Sequence, residues 1–88
     1  MKHCKIVISG QVQGVYFRDT AKRRALKFGI SGFARNKPNG TVYIEAEGND
    51  EAMSEYIKWC HEGSRQATVE NVKVSEHPLF GHEGFRIR

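Results

Sequence analysis

The sequence predicts an α+β fold, built in the order β–α–β–β–α–β with a short last strand. Three observations carry that prediction. Residues 4–9 and 41–47 alternate apolar and polar side chains, the period of a strand with one buried face. Residues 17–28 and 52–60 instead repeat their apolar side chains at helical spacing. Asn39-Gly40, between two extended stretches, is the strongest short signal for a hairpin.

The elements follow in chain order. In the first strand Cys4, Ile6 and Ile8 share one face, and Lys5, Val7 and Ser9 the other. Gly10 and Gly14 then sit where the chain must turn tightly. Phe17, Ala21, Ala25 and Phe28 form the stripe of a helix over 18–28, and Gly29 stops it. Ile30 to Arg35 extends as a second strand into the Lys37-Pro-Asn-Gly40 turn. The third strand turns Val42, Ile44 and Ala46 inward, with Tyr43, Glu45 and Glu47 outward. Asn49 caps a second helix whose stripe is Ala52, Met53, Tyr56, Ile57 and Cys60, and Gly63 ends it. Val72 and Val74 alternate in a fourth strand. Val69 has the opposite parity, which predicts a bulge near Glu70. Pro78 and Gly81 mark a loop, and Phe85 and Ile87 a short edge strand.

This order is the ferredoxin-like plan, a sandwich with both helices on one face of an antiparallel sheet. Right-handed crossovers fix the strand directions. They bring residues 10–18 and the 36–40 turn to the same end of the sheet. The 88 residues read as one domain. No apolar run reaches the length of a membrane span, and residues 1–5 lack the apolar core of a signal peptide. The expectation is a cytoplasmic monomer. A net charge of +4 and a pI near 9.3 favour anionic partners.

The shared end holds the chemistry. A strand that ends in a glycine-containing loop and opens a helix leaves several main-chain N–H groups unpaired, which makes an anion site. Arg18 at its rim adds a planar fork suited to a phosphoryl group. Asn36 arrives from the second strand. Neither residue serves as a general base. Such a site can bind an anion and orient a water. Hydrolysis of a carboxylic–phosphoric anhydride proceeds on those terms, because its leaving carboxylate is a weak base and the loose transition state needs mainly positioning and charge stabilisation.

Gly10-x-Val-Gln-Gly14-Val-x-Phe-Arg18, followed by Gly32-Phe-Ala-Arg-Asn36 and Asn39-Gly40-Thr-Val, resembles the acylphosphatase family over nearly the whole chain. The resemblance implies a small stand-alone enzyme of the acylphosphate phosphohydrolase type. It splits substrates such as acetyl phosphate, 1,3-bisphosphoglycerate and carbamoyl phosphate, with no metal, no cofactor and no covalent intermediate. Inorganic phosphate is then product and inhibitor. By motif position Gln13, Gly14, Val15, Tyr16, Phe17 and Arg18 look like the phosphate cradle, Arg18 like the phosphate-binding arginine, and Asn36 like the holder of the attacking water. Tyr16 fills the variable slot, where bacterial relatives often carry glycine.

The alternative is a non-catalytic module that binds an anion or nucleic acid on the same fold. Base-stacking modules of this plan use aromatics on the central strands. Here the outward face offers Lys5, Val7 and Ser9, then Tyr43 flanked by Glu45 and Glu47, and acidic side chains oppose a phosphate backbone. No specific nucleic-acid partner and no membrane are therefore expected. Cys60-His-Glu-Gly-Ser-Arg65 falls one position short of the spacing used by cysteine-dependent phosphatases, and Cys60 lies on the apolar helix stripe. His3-Cys4 and Cys60-His61 belong to opposite ends of the fold, so they do not make a zinc site. Two cysteines without a Cys-x-x-Cys motif read as free thiols.

Overall fold

Alternation and helical repeat resolve into seven elements in a computed structural model that describes all 88 residues. They are β1 (Lys2–Gln11), α1 (Phe17–Phe28), β2 (Ser31–Asn36), β3 (Val42–Gly48), α2 (Asp50–Glu62), β4 (Thr68–His77) and β5 (Phe85–Ile87). The strands lie in the order β4-β1-β3-β2-β5. β1 to β4 pair antiparallel, as expected. β5 adds to the β2 edge in the parallel sense, so the sheet as a whole is mixed.

The inward set of the sheet is the one the alternation marks. Ile6, Ile8, Val42, Ile44 and Ala46 are all fully buried. Both helices cover this face. α1 presents Phe17, Ala21 and Ala25, and the two alanines let it approach closely. α2 presents Met53, Tyr56, Trp59 and Cys60, and the Tyr56 hydroxyl donates to Ala21 O at 3.1 Å, which satisfies its one buried polar atom. Trp59, absent from the expected stripe, packs on Phe17 with ring centroids 5.2 Å apart. The expected ends hold. Gly29 closes α1 in the left-handed region, and the Asn49 side chain accepts from Ala52 N at 2.8 Å to open α2.

The bulge near Glu70 is present, and it explains Gly10. Ser9 pairs with Asn71 and Gly10 with Val69, so Glu70 has no opposite residue. Gly10 is thus inside β1 rather than in the loop that follows. It has φ 126°, and a Cβ there would stand 2.2 Å from Thr68 O. Close approach of the bulged strand, rather than a turn, demands the glycine.

β4 and β5 lie at opposite edges of the sheet, so residues 78–84 must cross four strand spacings. That is roughly 19 Å, within reach of seven extended residues. With the helices on one face, this strap takes the other. His3 of β1 contacts Pro78 O through Nδ1 at 2.9 Å. Glu47 of β3 accepts from the N–H groups of Phe80, Gly81 and His82 at 2.7, 2.9 and 2.6 Å. Gly32 N of β2 donates to Gly84 O at 2.8 Å. The outward Glu47 expected on an open face is therefore buried at 4% exposure. Burial alone would raise its carboxyl, but the N–H groups of Gly81, His82 and Phe80 outweigh that and hold it below the usual carboxylate range.

Candidate active site at the β1–α1 and β2–β3 end

β1 and β2 run in the same direction, so the loop after β1 and the turn after β2 meet at one end. Between them lies a cleft of about 370 Å³, lined by Val12, Gly14, Tyr16, Phe17, Arg18, Asp19, Asn36 and Ile87. Topology thus brings Arg18 and Asn36, the two residues singled out in the sequence, to one cavity.

The loop has the backbone that an anion cradle requires. Gly14 has φ 74°, and Tyr16 has φ 60° and ψ 27°. Tyr16 is the single non-glycine residue with positive φ. A side chain in this left-handed region costs about 1–2 kcal/mol, a strain that glycine would not carry. The turn then opens α1 at Phe17. Among the backbone hydrogen bonds of turns and caps, none is donated by residues 13–18. The first N–H groups of the helix have no partner within it either, so the loop retains a set of donors beside Arg18.

Three contacts hold this loop. Phe17, only 2% exposed, anchors the helix start in the core against Trp59. The Ser64 hydroxyl, from the loop after α2, donates to Val15 O at 2.7 Å. Gln13 Nε2 donates to Lys37 O at 2.7 Å and to Thr41 O at 2.9 Å. Lys37 N also donates to Thr41 O at 2.8 Å, and Asn39 Oδ1 accepts from Thr41 N and Oγ1, so Gln13 grips an already closed turn.

Arg18 is steered from the far edge strand. Its Nη1 donates to the main-chain oxygen of Arg88 at 2.9 Å. Arg88 is itself fixed, its N–H on Ala34 O at 2.9 Å and its guanidinium over the Phe33 ring at 4.1 Å. Asn36 is the last residue of β2, paired with Val42, rather than part of the turn. It therefore rests on a ladder and not on a flexible loop.

Of the six residues expected to form the cradle, Gly14, Tyr16, Phe17 and Arg18 line the cleft, while Gln13 and Val15 turn to the holding contacts described above. Sequence reasoning missed Val12, Asp19 and Ile87. Val12 and Ile87 supply apolar walls. Asp19 is exposed in the first turn of α1, where a carboxylate is favoured by the helix dipole. Its signal was its place directly after Arg18. Ser64 left no signal, because its partner is a carbonyl remote in sequence.

The family model described as Acylphosphatase matches residues 4–87. An acylphosphatase of Rubrobacter xylanophilus is 46% identical over 88 residues, covering 99% of this chain and 80% of that protein. One from Synechococcus sp. (strain CC9311) is 43% identical, over 96% of this chain and 93% of that protein. The crystal structure of acylphosphatase from Bacillus subtilis superposes with a TM-score of 0.97 at 34% identity, covering 100% of this chain and 99% of that one. Motif, cleft, fold and relatives agree over the same residues: the chain belongs to the acylphosphatase family.

Proposed function

We propose that the chain hydrolyses the carboxyl–phosphate bond of acyl phosphates by direct attack of a water that Asn36 orients, on a phosphoryl group held by the N–H groups of residues 13–18 and by Arg18. The water's lone pair forms the new P–O bond. The bond to the acyl oxygen breaks, and its electron pair leaves with the carboxylate. The water's proton passes to a phosphoryl oxygen, so no protein base is required. A carboxylate with a pKa of about 4 departs without protonation. An alkoxide does not, which excludes alcohol phosphates as good substrates.

The observation that carries this reading is the shared cleft, with Arg18 and the free N–H groups on one wall and Asn36 on the other. Arg18 and the loop neutralise the equatorial oxygens, and Asn36 offers a carbonyl acceptor and amide donors to a water. The substrate is a small molecule, and phosphate is the product. The test is phosphate release from benzoyl phosphate, with and without a chelator. Full activity under chelation, and competitive inhibition by inorganic phosphate, are expected. Loss of activity that zinc or magnesium restores would refute the metal-free reading.

The same reading takes the protein as a monomer with no specific nucleic-acid partner. Its support is the outward face of the sheet. The Tyr43 hydroxyl donates to Glu45 Oε2 at 2.7 Å, with Arg35 and Lys37 beside the ring, and the strap crosses the next positions. Bases find no open aromatic platform there.

A further inference from the structure

Beneath the strap lies a cluster that the cleft does not use. His3 Nε2 and His82 Nε2 each stand 3.0 Å from one carboxylate oxygen, Oε1 of Glu45. The three atoms lie within 4.8 Å of one another. Their other atoms are already engaged. His3 Nδ1 faces Pro78 O at 2.9 Å, and Glu45 Oε2 accepts from the Tyr43 hydroxyl at 2.7 Å. Both are acceptor–donor contacts that orient a ring and a carboxylate towards a common centre. A histidine whose second N–H is held by a carbonyl, beside a carboxylate held by a hydroxyl, is the outer arrangement that metal-binding residues need. Phe80 adds an apolar shell, its ring 4.5 Å from that of His82 and 6.2 Å from that of His3.

We propose that His3, Glu45 and His82 bind one divalent transition-metal ion of the zinc class. Two imidazole nitrogens and a carboxylate oxygen favour such an ion over magnesium or calcium, which prefer all-oxygen sets. Bonds of about 2.0–2.2 Å in tetrahedral array place ligand atoms about 3.3–3.5 Å apart. The existing 3.0 Å separations therefore open by only a few tenths of an ångström. The ion takes the lone pair of each Nε2, any hydrogen there passing to solvent, and a fourth position remains for water. None of the three residues lines the cleft. The ion is a rivet rather than a catalyst: it joins β1 through His3 and β3 through Glu45 to the strap through His82.

The experiment is calorimetric titration of the native protein with zinc, beside thermal melting with and without the ion. One saturable equivalent and a raised Tm are expected, with no shift from magnesium at the same concentration. His82→Phe keeps an aromatic ring between Phe80 and Phe33 and should abolish saturable binding. Glu45→Gln, similar in shape, should do the same and covers the case in which His82→Phe fails to fold. Absence of saturable zinc binding by the native protein overturns the proposal. So does binding that survives in the folded variants, which would assign the ion to His61 or His77.

Discussion

Gln13 and Lys37 are joined across the mouth of the cleft: the Gln13 amide donates at 2.7 Å to the carbonyl of Lys37, the residue that follows Asn36. With its second bond, to Thr41 O, this amide ties the loop that carries Arg18 to the turn that follows Asn36, and so sets the spacing of the two cleft walls. Gln13→Ala should lower kcat by about tenfold to a hundredfold, since misplacement of a reacting group by ~1 Å costs up to about a hundredfold. Stability should fall by only about 1 kcal/mol, because the amide is exposed. Gln13→Glu should not rescue, as a carboxylate cannot donate to two carbonyls. Wild-type kcat in both variants would remove Gln13 from the positioning machinery.

Arg18 and Asn36 should fail differently. In the proposed mechanism Arg18→Gln loses the charge-assisted bonds to the phosphoryl group, so it should weaken phosphate binding and turnover together. Asn36→Ala should lower kcat by on the order of a hundredfold and leave phosphate affinity nearly unchanged. The double variant should be little worse than the poorer single one, because an oriented water has no target when the phosphoryl group is misplaced. Calorimetry with inorganic phosphate, run beside the kinetics, separates these outcomes. Equal loss of phosphate binding in both single variants contradicts the division of roles.

Tyr16 holds a left-handed backbone with its side chain 70% exposed. Tyr16→Gly removes the strain of about 1–2 kcal/mol, partly offset by the ~0.5–1 kcal/mol that glycine loses in chain entropy. The variant should be as stable as the parent or up to about 1.5 kcal/mol more so in urea unfolding. Tyr16→Val, β-branched, should be less stable than the parent. A Tyr16→Gly protein that melts well below the parent would mean that the ring contributes more than its exposure suggests.

Both thiols should resist a thiol reagent in the native state. Burial raises the Cys4 thiol above its ordinary range, with Glu76 adding to the effect and Lys2 opposing it, and burial alone raises Cys60. Both are free and buried. Rapid labelling in buffer, or a 4–60 crosslink in the unreduced protein, contradicts this; full labelling in denaturant is the expected control.

The end of the sheet that carries the cleft was legible because its signals are local: a glycine-rich β–α loop, an Asn-Gly turn, and crossover handedness that brings them together. The strap was not. Glu45, Glu47 and His3 lie at polar positions of alternating strands, and such positions normally meet water. Nothing in their spacing says that a chain segment more than thirty residues downstream of Glu47 will lay its N–H groups over that carboxylate. Gly10 misled for a related reason. A glycine near a strand end reads as a turn, whereas its cause is the opposite strand. Trp59 had a signal, three positions after Tyr56, but a large ring near a helix end can face either way.

The extra residue at Glu70 also bears on how copies of this chain meet. β4 is the long outer strand, and its free side presents unpaired N–H and C=O groups that could template another strand. A neighbour adding there would have to follow the kink at Glu70 while passing the charges of Lys73 and Glu76. On the opposite margin β5 offers only three residues, with Arg86 among them and Arg88 just beyond. The sheet is thus poorly suited at both margins to grow from molecule to molecule, which protects the chain from fibrous association.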